Sequence, residues 1–365
     1  MSFIKKNIVM VIAFIVAIIT CFIVPPDKEY LNYFDLKTLT CLFCTLLMVC
    51  AFKNIKFFRI IAEKIVCVFK TSRSCVVALV YITFIGSMII ANDMALITFL
   101  PLGYYALTST NNEKYMAFTF IMQNIAANLG GMLTPFGNPQ NLYLYTYFNI
   151  PNGEFIKIMF LPFIISITLI TLCCFTVPNT PLELVAEEHI RLKKRRTAIY
   201  SLLFILAIAI VFRTIPYYYG LIIITVAMLI LDYRAFKKVD YPLLLTFCAF
   251  FVFSGNMARI EAVHSFIGGL VEKNTLLFST FLCQFISNVP SAILLSRFTE
   301  NYQQLLVAVN IGGAGTLIAS LASLITFREF NKNQPDKAFS YIKMFSAYNF
   351  GILFVLLSVM SFVMK

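Results

Sequence analysis

Long apolar runs alternate with short polar connections along nearly the whole chain. Runs near the roughly 20 residues that carry a helix across a bilayer fall at about 7–24, 36–52, 115–149, 155–177, 197–213, 217–233, 241–258, 302–327 and 343–364. Two more apolar segments, 75–108 and 274–298, hold a polar motif near their middles: Ala91-Asn92-Asp93 and Ser287-Asn288-Val289. Lipid cannot hydrogen-bond a polar side chain or a bare peptide group, so such motifs belong in a protein-lined cavity. The pattern predicts an all-α polytopic membrane protein.

The chain repeats itself. Asn128-Leu129-Gly130-Gly131, Thr134, Gly137-Asn138 and Asn141 align without a gap with Asn310-Ile311-Gly312-Gly313, Thr316, Ala319-Ser320 and Ser323. Between Met132 and Asn141 stand Pro135, Gly137 and Pro139, a composition that cannot continue a helix. The helix from 115 is expected to break and restart near Gln140. The second copy has Gly312, Gly313 and Gly315 but no proline, which predicts a milder break. Further upstream, Phe34-Asp35 before the 36–52 run matches Val239-Asp240 before the 241–258 run. Segments 53–73 and 259–273 follow those runs and read as helices lying on the bilayer surface. The resulting division is a first transmembrane repeat at 1–177, a cytoplasmic linker at 178–196, and a second repeat at 197–365 with one extra leading helix.

Charge sets the orientation. The two motif-bearing segments read as re-entrant hairpins, because most of the 29 Lys and Arg then fall on one side of the membrane. Lys28, Lys37, Lys157, Arg213, Arg259, Lys273, Arg297 and Lys365 fall on the other. The positive-inside rule places the N-terminus in the cytoplasm and the C-terminus outside. The hairpins then enter from opposite faces, so the two repeats have inverted topology, each with a re-entrant hairpin and a broken transmembrane helix.

Composition agrees. The chain is 60% hydrophobic and 13% charged, against about 25% charged in soluble domains, and its mean hydropathy is +0.85. The formal charge of +12 is topological and does not indicate nucleic acid. Lys5 and Lys6 followed by Ile8 to Val24 read as a first helix rather than a cleaved signal. Most of the ten cysteines lie in apolar runs and read as core; Cys41-x-x-Cys44 has no second pair or His cluster. His189 and His264 lack catalytic neighbours. No phosphate loop, nucleophile motif or metal-ligand spacing is present, so an enzyme or ATP-driven pump is not supported.

Two interrupted hydrophobic segments in equivalent positions are the sequence mark of a secondary transporter's site. Carbonyls at the end of a first half-helix can hold a cation and amides at the start of the second an anion. The substrate-binding candidates are Asn92, Asn128, Asn138, Asn141, Asn288, Asn310 and Thr316. The coupling-ion candidates are Asp93, Thr134, Gly137, Ser287 and Ser320. Asp93 is the acidic residue placed deep in an apolar segment, a costly position that is functional by default.

These residues resemble the ion transporter superfamily: arsenite permeases, citrate-transporter-like proteins, divalent anion/sodium symporters and a class of sodium/proton antiporters. Ala91-Asn92-Asp93 with Ala95-Leu96 and Pro101 is similar to the arsenite-permease type of first hairpin. Gln123 to Asn128 through Gly137-Asn138-Pro139-Gln140-Asn141 is similar to the first broken helix, and Ser287-Asn288-Val289-Pro290 to the second hairpin tip. The resemblance implies a homodimer in the cell (plasma) membrane and elevator-like movement of hairpins and broken helices against a fixed scaffold. In the dicarboxylate symporters of that superfamily both tips read Ser-Asn-Thr. Here each Asn is kept and each Thr is replaced, by Asp93 and Val289, which favours a small inorganic anion, arsenous acid or a cation. The expectation is an anion permease coupled to sodium or protons, with no cofactor beyond a bound sodium ion. The alternatives are a sodium/proton antiporter and, from another class, an uncoupled channel or membrane receptor.

Overall fold

The computed structural model describes residues 7–66, 69–181 and 192–364, so His189 and most of the 178–196 linker lie outside the described residues. The described residues are helical, with no strand among them beyond an isolated bridge between Thr71 and Pro181. In chain order the first-half helices are α1 (Ile8–Ile23), α2 (Leu36–Asn54), α3 (Phe57–Val66), α4 (Ser72–Ile90), α5 (Asn92–Thr108), α6 (Met116–Gly130), α7 (Pro139–Tyr147) and α8 (Asn152–Cys174). They are followed by α9 (Lys194–Val211), α10 (Tyr217–Phe236), α11 (Tyr241–Arg259), α12 (Glu261–Lys273), α13 (Thr275–Ile286), α14 (Asn288–Leu295), α15 (Tyr302–Ile311), α16 (Leu321–Asn333) and α17 (Ala338–Val363).

Helices α2, α4, α8, α10, α11 and the run Pro335–Val363 are each long and apolar enough to cross a membrane. The chain is a multi-pass membrane protein. Their starts follow from sequence: Asp35 accepts the Thr38 amide at 2.9 Å and Asp240 the Leu243 amide at 3.1 Å, so the matched aspartates cap α2 and α11. Tyr217 to Tyr219 open α10. Cys41, Cys44, Cys50, Cys174 and Cys283 are buried free thiols in the packed interior, and His264 lies against the Phe298 ring.

Both long polar-interrupted helices are broken. The first stops at Gly130, turns through a short 3-10 segment at Gly131–Leu133 and restarts at Pro139. The second stops at Ile311 and restarts at Leu321. The expectation of a milder second break is corrected: it is as long as the first although it has no proline. Gly315 adopts φ +129°, where a side chain would collide with Gln284, and Gln284 replaces the lost helical bonds. Its Nε2 donates to the Gly312 and Ala314 carbonyls at 2.9 and 3.4 Å, and its Oε1 accepts the Thr316 amide at 2.9 Å. In the first break Asn141 does this work, donating to the carbonyls of Gly131, Met132 and Thr134 at 3.2 to 3.3 Å.

The core lies where the two halves interpenetrate. Helix α6 is buried on all sides. The restarted arm α7 packs on α14 and α15 of the second half, and the restarted arm α16 packs on α5 and α6 of the first. Helices α10 and α17 keep large apolar side chains such as Ile230, Phe354 and Phe362 exposed, as a lipid-facing layer should.

Candidate functional site

Two helix pairs meet at short tips, α4 with α5 at Ala91 and α13 with α14 at Ser287. Ala91 has φ 64°, ψ 150° and Ser287 φ 74°, ψ 158°. This region is open almost only to glycine, and a side chain there costs about 1–3 kcal/mol. Surrounding bonds hold both tips in the same way. The Asn92 amide donates to the Gly137 carbonyl at 3.1 Å, and the Asn288 amide to the Ala319 carbonyl at 2.9 Å. Asn92 Oδ1 accepts the Asp93 amide and Asn288 Oδ1 the Val289 amide, both at 2.9 Å. Thr134 Oγ1 donates to the Met88 carbonyl at 2.7 Å, and Thr316 Oγ1 to the Gln284 carbonyl at 2.9 Å. Each tip is therefore latched to its own helix break, and the two assemblies repeat bond for bond.

Side chains then join the halves. Asn128 Oδ1 accepts from Asn92 Nδ2 at 3.1 Å and from Ser320 Oγ at 2.8 Å. Asn138 Nδ2 donates to the Asn128 carbonyl at 3.0 Å and to Asn310 Oδ1 at 3.1 Å. Gln140 Nε2 reaches the same Asn310 oxygen at 3.4 Å, while Asn310 Nδ2 donates to Asn141 Oδ1 at 2.5 Å. All seven of these side chains are buried. Asn288 adjoins the cluster across Gly313, where a methyl group would lie 3.0 Å from Asn288 Nδ2 and 3.8 Å from Asn128 Oδ1.

A cavity of about 380 Å³ opens beside this network; most of its wall is apolar, Val16, Phe250, Phe285 and Leu324 among others, and Asn92, Asp93, Gln140, Ser287, Asn288 and Ser320 are polar residues on its lining. A smaller pocket on the other side of Asp93 is lined by Asn92, Asp93, Asn138, Thr45 and Asp240. Among the described residues neither space is lined by Lys, Arg or His. Asp93 Oδ1, Asn138 Oδ1, Gln140 Oε1 and Asn128 Nδ2 are buried with no hydrogen-bond partner among the described residues. Of these, Asp93 and Gln140 line the cavity, where oxygen acceptors suit a hard cation; Asn138 lines only the smaller pocket, and Asn128 lines neither space.

The structure thus gathers Asn92, Asn128, Asn138, Asn141, Asn310 and Ser320, and sets Asp93, Ser287 and Asn288 on the cavity wall. Thr134, Gly137 and Thr316 do not line that cavity; their polar groups fasten tips to breaks. Sequence reasoning missed Gln140, Gln284 and Asp240 as participants. Gln284 was visible as a polar residue inside an apolar run, whereas the facing of Asp240 and Asp93 across 147 positions of sequence has no local signal.

A sequence model described as "Citrate transporter" (CitMHS) matches residues 1–305. The chain belongs to the citrate transporter (CitMHS) family. The match includes both tips and the first broken helix and ends before the second break. Among its relatives is the uncharacterized transporter MJ0456 of Methanocaldococcus jannaschii, 35% identical over 308 residues, covering 84% of each chain. Another is the inner membrane protein YbiR of Escherichia coli, 31% identical over 283 residues, covering 75% of this chain and 74% of the relative. As a member of this family the chain is a membrane transporter.

Proposed function

We propose that this transporter moves a small inorganic or carboxylate anion, driven by sodium ions or protons bound at Asp93. The observation that carries the reading is a largely apolar cavity whose few polar groups are asparagine amides, hydroxyls, Gln140 and one carboxylate, with no basic side chain on its lining. An ionised Asp93 about 4 Å from a bound anion would repel it by about 4 kcal/mol at an effective dielectric of 20, close to a thousandfold in affinity. A cation bound at Asp93 removes that repulsion, so anion and cation bind together or not at all. That linkage is what coupling requires. Amides of Asn92 and Asn288 with the start of α7 hold the anion in the cavity; the Asp93 carboxylate with the Gln140 oxygen on the same lining holds the cation.

The same reading makes the tips re-entrant hairpins and residues 1–177 and 197–365 inverted repeats. The matched latches and the distribution of Lys and Arg support it. The N-terminus then lies in the cytoplasm and the C-terminus outside, in the plasma membrane, and transport proceeds by an elevator movement, in a homodimer. A sodium/proton antiporter is the second reading, favoured by Asp240 lining the same small pocket as Asp93.

The test is uptake into proteoliposomes of phosphate, sulfate, arsenite, succinate, citrate and sodium, each under separate sodium and proton gradients. We expect anion uptake driven by one of the two gradients in the wild type, with the gradient dependence lost in Asp93→Asn. Gradient-driven anion uptake that survives Asp93→Asn overturns the coupling role. Sodium–proton exchange without anion uptake replaces the first reading by the second.

A further inference from the structure

The helices α7 and α14 both run from the central cavity to a second, separate space. Gln140 at the start of α7 and Asn288 at the start of α14 line the cavity. Seven residues later, about 10 Å along a helix, come Tyr147 and Leu295, with Arg297 just beyond. Here lies an open vestibule of about 290 Å³ lined by Tyr33, Asp35, Lys37, Tyr143, Tyr147 and Arg297 among others.

Its charges are arranged for an anion. Lys37 has no hydrogen bond or ion pair among the described residues. Arg297 stacks over the Tyr147 ring, 5.2 Å from its centre, and donates from Nη2 to the Tyr33 carbonyl at 3.3 Å. Its Nε is buried without a partner among the described residues; the donors not given to Tyr33 on the terminal guanidinium nitrogens are those a ligand can take. The one carboxylate on the lining, Asp35, has its two oxygens bonded by the Thr38 amide at 2.9 Å and the Thr38 hydroxyl at 2.5 Å; its charge offsets one of the two cations, so the lining keeps a net positive charge. The carbonyl end of α7 is masked as well, since Arg213 Nη2 donates to the Tyr145 carbonyl at 2.5 Å and its guanidinium covers the Tyr145 ring. Lys37 and Arg297 thus converge on the vestibule, with Arg213 at the neighbouring carbonyl end of α7.

We infer that this vestibule is a docking site for a small carboxylate anion, which Arg297 receives in its planar fork and Lys37 neutralises. The guanidinium fork matches a carboxylate in two parallel bonds, which an ammonium cannot do. Tyr147 and Tyr33 fix the fork in advance, so little side-chain order is lost on binding. The cavity has no basic lining group, so the vestibule supplies the positive potential that concentrates the anion near it. Passage onward to the cavity rests on the transport reading above; binding in the vestibule does not.

The experiment is calorimetric titration of the purified full chain in phosphatidylcholine nanodiscs with citrate, succinate, acetate and inorganic phosphate. The variants are Arg297→Gln, Arg297→Lys, Lys37→Gln and Asn288→Ala, each checked by thermal melting. We expect carboxylates to bind the wild type, with affinity about tenfold weaker in Arg297→Gln and several-fold weaker in Lys37→Gln. Arg297→Lys should fall between wild type and Arg297→Gln, and Asn288→Ala should keep the Arg297-dependent binding. Equal affinity in wild type, Arg297→Gln and Lys37→Gln overturns the proposal, as does no binding of any of the four anions. An effect of Arg297→Gln seen only in discs containing phosphatidylglycerol assigns the vestibule to a lipid headgroup and also overturns it. In proteoliposomes Arg297→Gln should raise KM for anion on the vestibule side alone, with maximal rate unchanged. Binding that persists in a protein that moves no anion refutes the transport reading and leaves the docking site standing.

Discussion

Asn138 and Asn310 come from different halves of the chain, yet Asn138 Nδ2 donates to Asn310 Oδ1 across 3.1 Å. Their counterparts repeat the bond in exchange: Ser320 Oγ donates to Asn128 Oδ1 at 2.8 Å. The residue that caps each restart is held by an asparagine in the last turn before the other break. In a buried setting each such group is costly to orphan.

Replacing Asn310 by Ala strands donors on Asn138 and Gln140 and an acceptor on Asn141. The expected loss is about 1–3 kcal/mol, read as a lower melting temperature in detergent, together with loss of uptake. A double-mutant cycle of Asn138→Ala and Asn310→Ala should return a coupling of about 0.5–3 kcal/mol. Strict additivity would contradict the direct bond.

Ala91 and Ser287 should both be improved by glycine, but unequally. Glycine removes strain of about 1–3 kcal/mol and adds about 0.5–1 kcal/mol of chain entropy to be lost. Ala91→Gly is therefore expected to raise stability by about 1 kcal/mol. Ser287→Gly gains less, because it also loses the contact of Ser287 Oγ with the Ala319 carbonyl at 3.3 Å. Melting curves that fall for Ala91→Gly would show that the tip is unstrained.

Gln284→Leu leaves the Gly312 and Ala314 carbonyls without their donor and the Thr316 amide without its acceptor. Stability should drop by about 2–4 kcal/mol. Gln284→Glu keeps the acceptor for Thr316 and should cost less at a pH where the new side chain is neutral. Equal melting of the two variants would remove Gln284 from the support of the second break.

At the surface, Arg259 bonds Asp27 at 2.6 Å, Glu29 at 3.4 Å and the Tyr33 hydroxyl at 3.1 Å, and so ties the loop after α1 to the end of α11. The guanidinium beside Asp27 holds its carboxyl below the usual carboxylate range. The folded-state value is depressed, so this contribution is present above about pH 4 and is lost as pH falls through the folded value. Melting temperature should therefore drop less on acidification in Asp27→Asn than in the wild type. The same acid slope in both would dismiss the contact, a modest outcome for an exposed pair.

Much of this arrangement was legible in the sequence because it rests on composition: prolines and glycines mark the first break, and the aligned Asn128 and Asn310 mark the network. Other parts had no signature. Ala91 and Ser287 carry left-handed backbone without being glycine, so nothing in their identity announces it. The second break looked mild because proline was absent, but its glycines are held open by Gln284 from another helix, a tertiary effect. Lys37 and Arg297 entered only as exceptions in the charge distribution; their meeting depends on how α2, α7 and α14 pack.

The exchange of arms between halves has a consequence for how the protein can be made. Neither half encloses its own polar interruption, since α7 is completed by residues beyond 287 and α16 by residues before 131. Expressed as two separate polypeptides cut between α8 and α9, each fragment alone should be inert and prone to degradation, while co-expression should restore a working carrier by complementation.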